Sequence, residues 1–191
     1  MSNENYDAIR QQCWKEAKDC FATANIFEKR ILTLRKLRRA IVFLGVIIPV
    51  AIGSIVIAFG VDFNLLPYIL IVASVLGIVQ IIFSVWAIIA KWDESFEYAV
   101  ESTIANYDLA DRYRKLARNP PSEFCSFEHA FKLLEVENKS RTAQDNKQSI
   151  KEKEKRYGMR ATLREFQVEC SGCGKVPTSM KPTNCDICGN F

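Results

Sequence analysis

Histidine is nearly missing from this chain of 191 residues, where His129 stands alone. One imidazole cannot support a nucleophile, base and orienter set. The P-loop, GxSxG, HExxH and dinucleotide-binding fingerprints are missing too. The sequence therefore argues against an enzyme. Charge is scarce in one region only: between Ala40 and Ala90 the single charged residue is Asp62. The flanks are dense in Lys, Arg, Asp and Glu. The net charge of +4 is too mild to argue for a nucleic-acid binder by itself.

The uncharged region contains two apolar segments, Ala40 to Gly60 and Leu65 to Ala90. Each reaches the roughly 20 residues that a helix needs to cross a bilayer core. A small soluble domain could not cover two helices that are apolar all round. The short link around Asp62 then implies a tight antiparallel hairpin. The first segment starts too far into the chain for a secretory signal peptide. Lys29, Arg30, Arg35, Lys36, Arg38 and Arg39 precede the first span, and the loop has no Lys or Arg. The positive-inside rule puts the N-terminus in the cytoplasm, and two crossings return the C-terminus there. The expected location is a membrane, with both termini on its cytoplasmic side.

In the second span Ala73, Gly77, Gln80, Ser84 and Ala87 share one helix face. Small residues let helices approach closely, and a buried Gln can bond across an interface. Two readings stay open. The face packs on the first span, where Gly45, Pro49 and Gly53 offer a small surface, or Gln80 and Ser84 line a water-filled pathway in an oligomer. No intramembrane Asp, Glu, Lys or Arg is present to form an ion relay.

Upstream, Cys13, Ala17, Cys20, Ala24, Phe27, Ile31 and Leu34 alternate by four and three, the spacing of a coiled-coil-like seam. The helix should run from about Glu4 through Leu37 and into the first span. Cys13 and Cys20 read as small buried hydrophobes. Downstream, Trp92, Phe96, Ala99, Thr103, Tyr107, Ala110 and Ala117 form a second stripe, ended by Pro120 and Pro121. Phe27, Ile31, Leu34 and Phe96 are the candidate oligomer seam. A further helix should begin at Ser122 or Ser126 and lead into a charged stretch from Lys132 to Arg164. That stretch reads as a solvated helix laced with ion pairs, with membrane-surface or nucleic-acid contact as the alternatives. Cys125 and His129, four apart, read as a partly buried thiol and imidazole rather than a metal pair.

The strongest motif is near the C-terminus. Cys170 and Cys173 form one CxxC pair, Cys185 and Cys188 another, and residues 174–184 separate them. Each pair bends around a metal in one tight turn, and four thiolates close a tetrahedral zinc site. Gly174 and Gly189 follow the pairs and permit those turns. Four protein ligands leave no open position, so the zinc would be structural. Redox or disulfide use and an iron–sulfur centre are the weaker readings. The segment "LREFQVEC" before the first pair could be a short strand of a ribbon.

The expected fold class is an all-α membrane protein: a two-transmembrane helical hairpin with long cytoplasmic helices and a small C-terminal zinc knuckle or ribbon. Its parts are a cytoplasmic amphipathic helix (1–39), the hairpin (40–90), cytoplasmic helices (91–165) and the knuckle (166–191). A charged helix ending in "RKLRRAIVFLGVIIPVAIG", two spans, a long helix and the spaced cysteines resemble the SLATT family of two-transmembrane effectors. Within it they resemble the mobilome CxxCx(11)CxxC subset. The resemblance implies an oligomeric pore-forming or membrane-perturbing effector of a bacterial anti-phage or conflict system. Such an effector is held inactive until a nucleotide-signalling enzyme or sensor protein triggers it through its cytoplasmic part, and its action implies abortive infection. The alternative is a membrane-tethered adaptor whose zinc tail binds a partner protein or nucleic acid.

Overall fold

The computed structural model describes residues 2–60 and 64–191. Asp62, in the expected loop, lies outside the described residues. Five helices follow one another: α1 (Ser2–Phe59), α2 (Leu66–Ile89), α3 (Trp92–Arg118), α4 (Phe124–Asp145) and α5 (Glu152–Glu165). No strand occurs among the described residues. The "LREFQVEC" strand is therefore corrected: Leu163, Arg164 and Glu165 complete the last turn of α5. Leu163 faces the knuckle there, packed with Cys170 and Cys188. Good helix formers met a helix-sized apolar contact, and the short alternation had no partner strand.

The chain divides into two units, one of residues 1–29 and 99–191, the other of residues 30–98. α1 contributes to both, and so does α3. In the first unit the expected seam is buried: Cys13, Ala17, Ala24 and Phe27 are fully enclosed and Cys20 nearly so. Of these, Cys13, Ala17 and Cys20 meet Leu109, Ala110, Tyr113 and Ala117 of α3 and Phe127, Phe131 and Leu134 of α4. Fully burying each large side chain contributes about 1.5–3 kcal/mol. Long-range hydrogen bonds tie α1 to the loop after α3 and to α5: Tyr6 Oη donates to Pro121 O at 2.9 Å and Thr162 Oγ1 to Lys18 O at 3.3 Å.

The α3 stripe is centred differently from the apolar pattern. Ser102 and Asn106 are buried with Ala99 and Leu109, because α4 supplies a charged partner. Ser102 Oγ donates to Asp145 Oδ1 at 2.8 Å, and Asn106 Nδ2 donates to Asp145 Oδ2 at 2.7 Å. Arg141, one turn earlier on α4, donates to the same carboxylate through Nη2 at 3.0 Å and to Glu101 through Nη1 at 2.7 Å. Arg141 and Asp145 are themselves buried. Elsewhere α4 fits the solvated reading, with Lys132–Glu128 at 2.6 Å and Lys139–Glu135 at 2.9 Å.

α3 ends at Arg118, where Pro120 and Pro121 forbid its continuation. α4 starts at Phe124, between the two expected serines. The charged stretch is not one helix: α4 stops at Asp145, and α5 restarts after the Lys151 N–H donates to Glu154 Oε2 at 2.8 Å. Cys125 and His129 are both exposed, contrary to the expected partial burial. They lie on the face of α4 opposite Phe127, Phe131 and Leu134.

The second unit contains two helices long and apolar enough to cross a membrane, the later part of α1 and all of α2. None of either apolar window is buried. Ile57 at 88% and Ile88 at 77% exposure mark outward faces that a soluble core helix would not leave bare.

Candidate metal centre and the apolar helix face

The knuckle is built from two matching turns. In the first, the Gly174 N–H donates to Cys170 O at 2.8 Å; in the second, Gly189 N–H donates to Cys185 O at 2.9 Å. The two glycines serve different needs. Gly174 has φ of 64°, a left-handed conformation that a side chain would strain. Gly189 lacks that conformation; a Cβ there would overlap the Thr183 carbonyl, and the left-handed residue is Asn190.

These turns bring all four sulfurs within 4.8 Å of one another. Cys170 Sγ lies 3.9 Å from Cys185 Sγ, and Cys173 Sγ lies 3.8 Å from Cys188 Sγ. Four thiolates at about 2.3 Å from a tetrahedral zinc stand about 3.8 Å apart, since a tetrahedron's edge is about 1.63 times its radius. A disulfide needs about 2.05 Å. The donor set thus fits one tetrahedral, thiophilic metal ion held by Cys170, Cys173, Cys185 and Cys188. Electrostatics prepare it unevenly. The backbone N–H of Cys188, then that of Ile187, hold the Cys185 thiol down to about 7. Burial pushes Cys188 the other way, and a bound cation would oppose that push.

Sequence reading missed Arg160. This buried residue of α5 donates through Nε to Ser179 O at 2.7 Å and through Nη1 to Cys188 O at 3.1 Å. Its Nη1 also reaches Thr183 Oγ1 at 3.3 Å. It fastens the insert and the second CxxC turn to α5 and sets positive charge 3.9 Å from Cys188 Sγ, the outer support that metal ligands need. One basic residue in a charged stretch gave no signal of this. Its position three residues before Leu163, on one helix face, was the available clue.

The other cysteines lie outside the cluster. Burial pushes Cys13 up to about 11 and Cys20 up to about 12, so both stay as inert thiols. Cys125 is exposed. In the metal-loaded chain a thiol reagent should therefore modify Cys125 rapidly and spare the rest. A chelator should add the four knuckle thiols, and Cys13 and Cys20 should wait for unfolding. Mass mapping of the labelled peptides checks this order, and early labelling of Cys13 or Cys20 contradicts the buried seam.

Ala73, Gly77, Gln80, Ser84 and Ala87 are partly covered positions of α2, as is Ile69, between exposed Ile, Val and Leu. Gln80 lies over α1: a Cβ added at Gly45 would stand 2.7 Å from Gln80 Nε2. Ser84 Oγ donates to Gln80 O within its own helix at 2.9 Å. Of the expected facing surface, Gly45 takes part, whereas Pro49 and Gly53 are exposed. Phe27 and Ile31 are buried within one chain, and Leu34 and Phe96 are partly covered.

Helices, apolar segments and cysteine cluster together define a class: a chain whose described elements are all helices, with two of membrane-spanning length and a C-terminal cluster of four cysteines that fits a metal ion. The chain belongs to the mobilome CxxCx(11)CxxC protein family, whose family model it matches over residues 10–191. No curated protein and no solved structure gave a match.

Proposed function

We propose that this chain is an oligomeric membrane effector of a bacterial conflict system, in the manner of the SLATT family it resembles. Its apolar helices form a two-span hairpin, perturb or perforate the inner membrane, and stay silent until the cytoplasmic part receives a trigger. A nucleotide-signalling enzyme or a sensor protein is the partner class that the resemblance implies. The metal of the knuckle is zinc, structural in role.

One observation carries the topology. Residues before the apolar stretch and residues after it share a single core, as Cys13, Ala17 and Cys20 do with Leu109, Tyr113 and Phe127. Segments that share a core lie on one side of a bilayer, which requires an even number of crossings. The basic residues from Lys29 to Arg39 favour the cytoplasmic side. Two spans cannot enclose a conduit alone, so the reading requires several copies, with closed symmetry expected. The seating of Gln80 over Gly45 supports close hairpin packing; lining a pathway would require the helices to separate on activation.

The adaptor reading has one supporting feature, a groove of about 760 Å³ along the knuckle that includes Lys175, Thr178 and Asn184. Vesicle leakage separates the two. Full-length protein, reconstituted with a self-quenched dye, should release it as an oligomer, and Gln80→Leu should change the rate severalfold. Deleting residues 166–191 should leave the oligomer intact and alter its responsiveness. Loss of all cellular effect on that deletion, with no leakage from verified oligomers of either chain, sinks the effector reading and favours the adaptor.

A further inference from the structure

Where the basic run of α1 meets its apolar part, one helix face carries Arg35, Arg38, Arg39, Val42, Phe43 and Val46 around a groove of about 620 Å³. Phe96 of α3 closes one side. The face changes from cationic to apolar in a single direction. From Arg39 to Val46 the helix advances about 10 Å at 1.5 Å per residue. A glycerophospholipid changes from phosphate to hydrocarbon over a comparable length.

The three arginines are not equivalent. Arg38 is already held: its Nε is 2.9 Å from Asp93 Oδ1, and its guanidinium lies 4.9 Å from the Phe96 ring centre. Arg35 and Arg39, one turn apart on the same face, have no ion pair or hydrogen bond among the described residues. Guanidinium donors suit phosphate oxygens, and two on one face can converge on a single group. Arginines that merely reached outward to water would need neither the aromatic wall nor the apolar floor below them.

We propose that this groove binds one anionic phospholipid. Arg35 and Arg39 hold the headgroup phosphate, Arg38 is braced by Asp93 and Phe96 as the fixed edge of the site, and an acyl chain lies along Val42, Phe43 and Val46. The proposal rests on the membrane reading above. It adds a ligand to α1 at the level where the chain would leave the bilayer, so the anionic lipid content of the membrane becomes an input to the protein.

Native mass spectrometry of the full-length chain tests it, after incubation with equal amounts of phosphatidylglycerol and phosphatidylcholine carrying the same acyl chains. Phosphatidylglycerol adducts should exceed phosphatidylcholine adducts by roughly tenfold, a usual margin for one specific charged contact set. Arg35→Gln/Arg39→Gln should bring the ratio near parity. The charge-keeping Arg35→Lys/Arg39→Lys variant should retain part of the preference, which excludes misfolding as the cause of the loss. Glycerol phosphate at millimolar concentration should not displace the lipid. Displacement would mean a phosphate site and overturn the proposal, as would parity in the wild type, an unchanged ratio in the glutamine variant, or a second copy of the chain occupying the groove. Carbonate washing of vesicles is done in parallel. A chain that stays inserted without the lipid preference defeats this proposal alone; a chain that washes off defeats the membrane reading as well.

Discussion

Cys170→Ser/Cys188→Ser should abolish metal binding and unfold the segment from Cys170 onward, and chelation of the wild type should do the same. In small domains where a structural zinc holds the fold, the ion contributes about 10–16 kcal/mol at neutral pH. That is an upper bound here, because α5 supports the knuckle through Arg160 and Leu163. The support works both ways. Once the sulfurs separate, Arg160 loses its acceptors at Ser179, Thr183 and Cys188 and remains a buried guanidinium in a helix. Hydrogen exchange should therefore show protection lost over residues 170–191 and also over the last two turns of α5. Amides of α3 and α4 in the Cys13–Tyr113–Phe127 core should keep theirs. Elemental analysis should give about one ion per chain before the substitution and none after. A knuckle that binds no metal under reducing conditions, or keeps its protection in chelator, would show that the cluster is not a metal centre.

The second large effect is expected at the carboxylate between α3 and α4. Asp145→Leu leaves the Arg141 guanidinium buried and takes the acceptor from Ser102 Oγ and Asn106 Nδ2 together. Removing one side of a buried charge pair costs about 3–5 kcal/mol, an upper bound here because Arg141 keeps Glu101 at 2.7 Å, and the Ser102 hydroxyl and one Asn106 N–H, left without their acceptor, add to it. Arg141→Met is milder, since Asp145 keeps Ser102 and Asn106 and water can still reach Glu101, which is 68% exposed. The order of destabilisation should be Asp145→Leu, then Arg141→Met. The double variant should cost less than the two single costs added, because removing the carboxylate and the guanidinium together leaves no lone charge. Denaturant unfolding of the detergent-solubilised full chain, followed by hydrogen exchange in α3 and α4, measures all three. Equal or reversed costs would mean that this network is solvated and not a buried lock.

How far these features were legible varied with their physics. The seam from Cys13 to Ile31 was readable because small and apolar residues repeat at helical spacing, and burial follows that repeat. The cysteine cluster was readable because the ligands occur in two close pairs whose chemistry admits few uses. Ser102 and Asn106 were not: on an amphipathic helix a polar residue reads as solvent-facing, and their partner Asp145 lies 43 and 39 residues further on. Arg160 was hidden for a related reason, since neighbouring lysines and arginines mask one buried guanidinium. Pro49 and Gly53 misled because small size marks a face that can pack closely, not one that does. "LREFQVEC" was too short for alternation to separate a strand from a helix end.

The shared core of residues 1–29 and 99–191 also constrains how the protein is made. A ribosome completes the first stretch of α1, seam exposed, long before α3, α4 and α5 exist to cover it. Everything between must be synthesised, and if those helices enter a bilayer, inserted, before Tyr6 can meet Pro121 or Lys18 can meet Thr162. Contacts of such sequence separation form late and slowly. Until then a newly made chain presents Phe27 and its neighbours to chaperones and proteases. Closure of this core is thus a checkpoint on biogenesis: a chain whose apolar helices were misplaced could not bring its two flanks together, and would be marked for removal by its own unfinished fold.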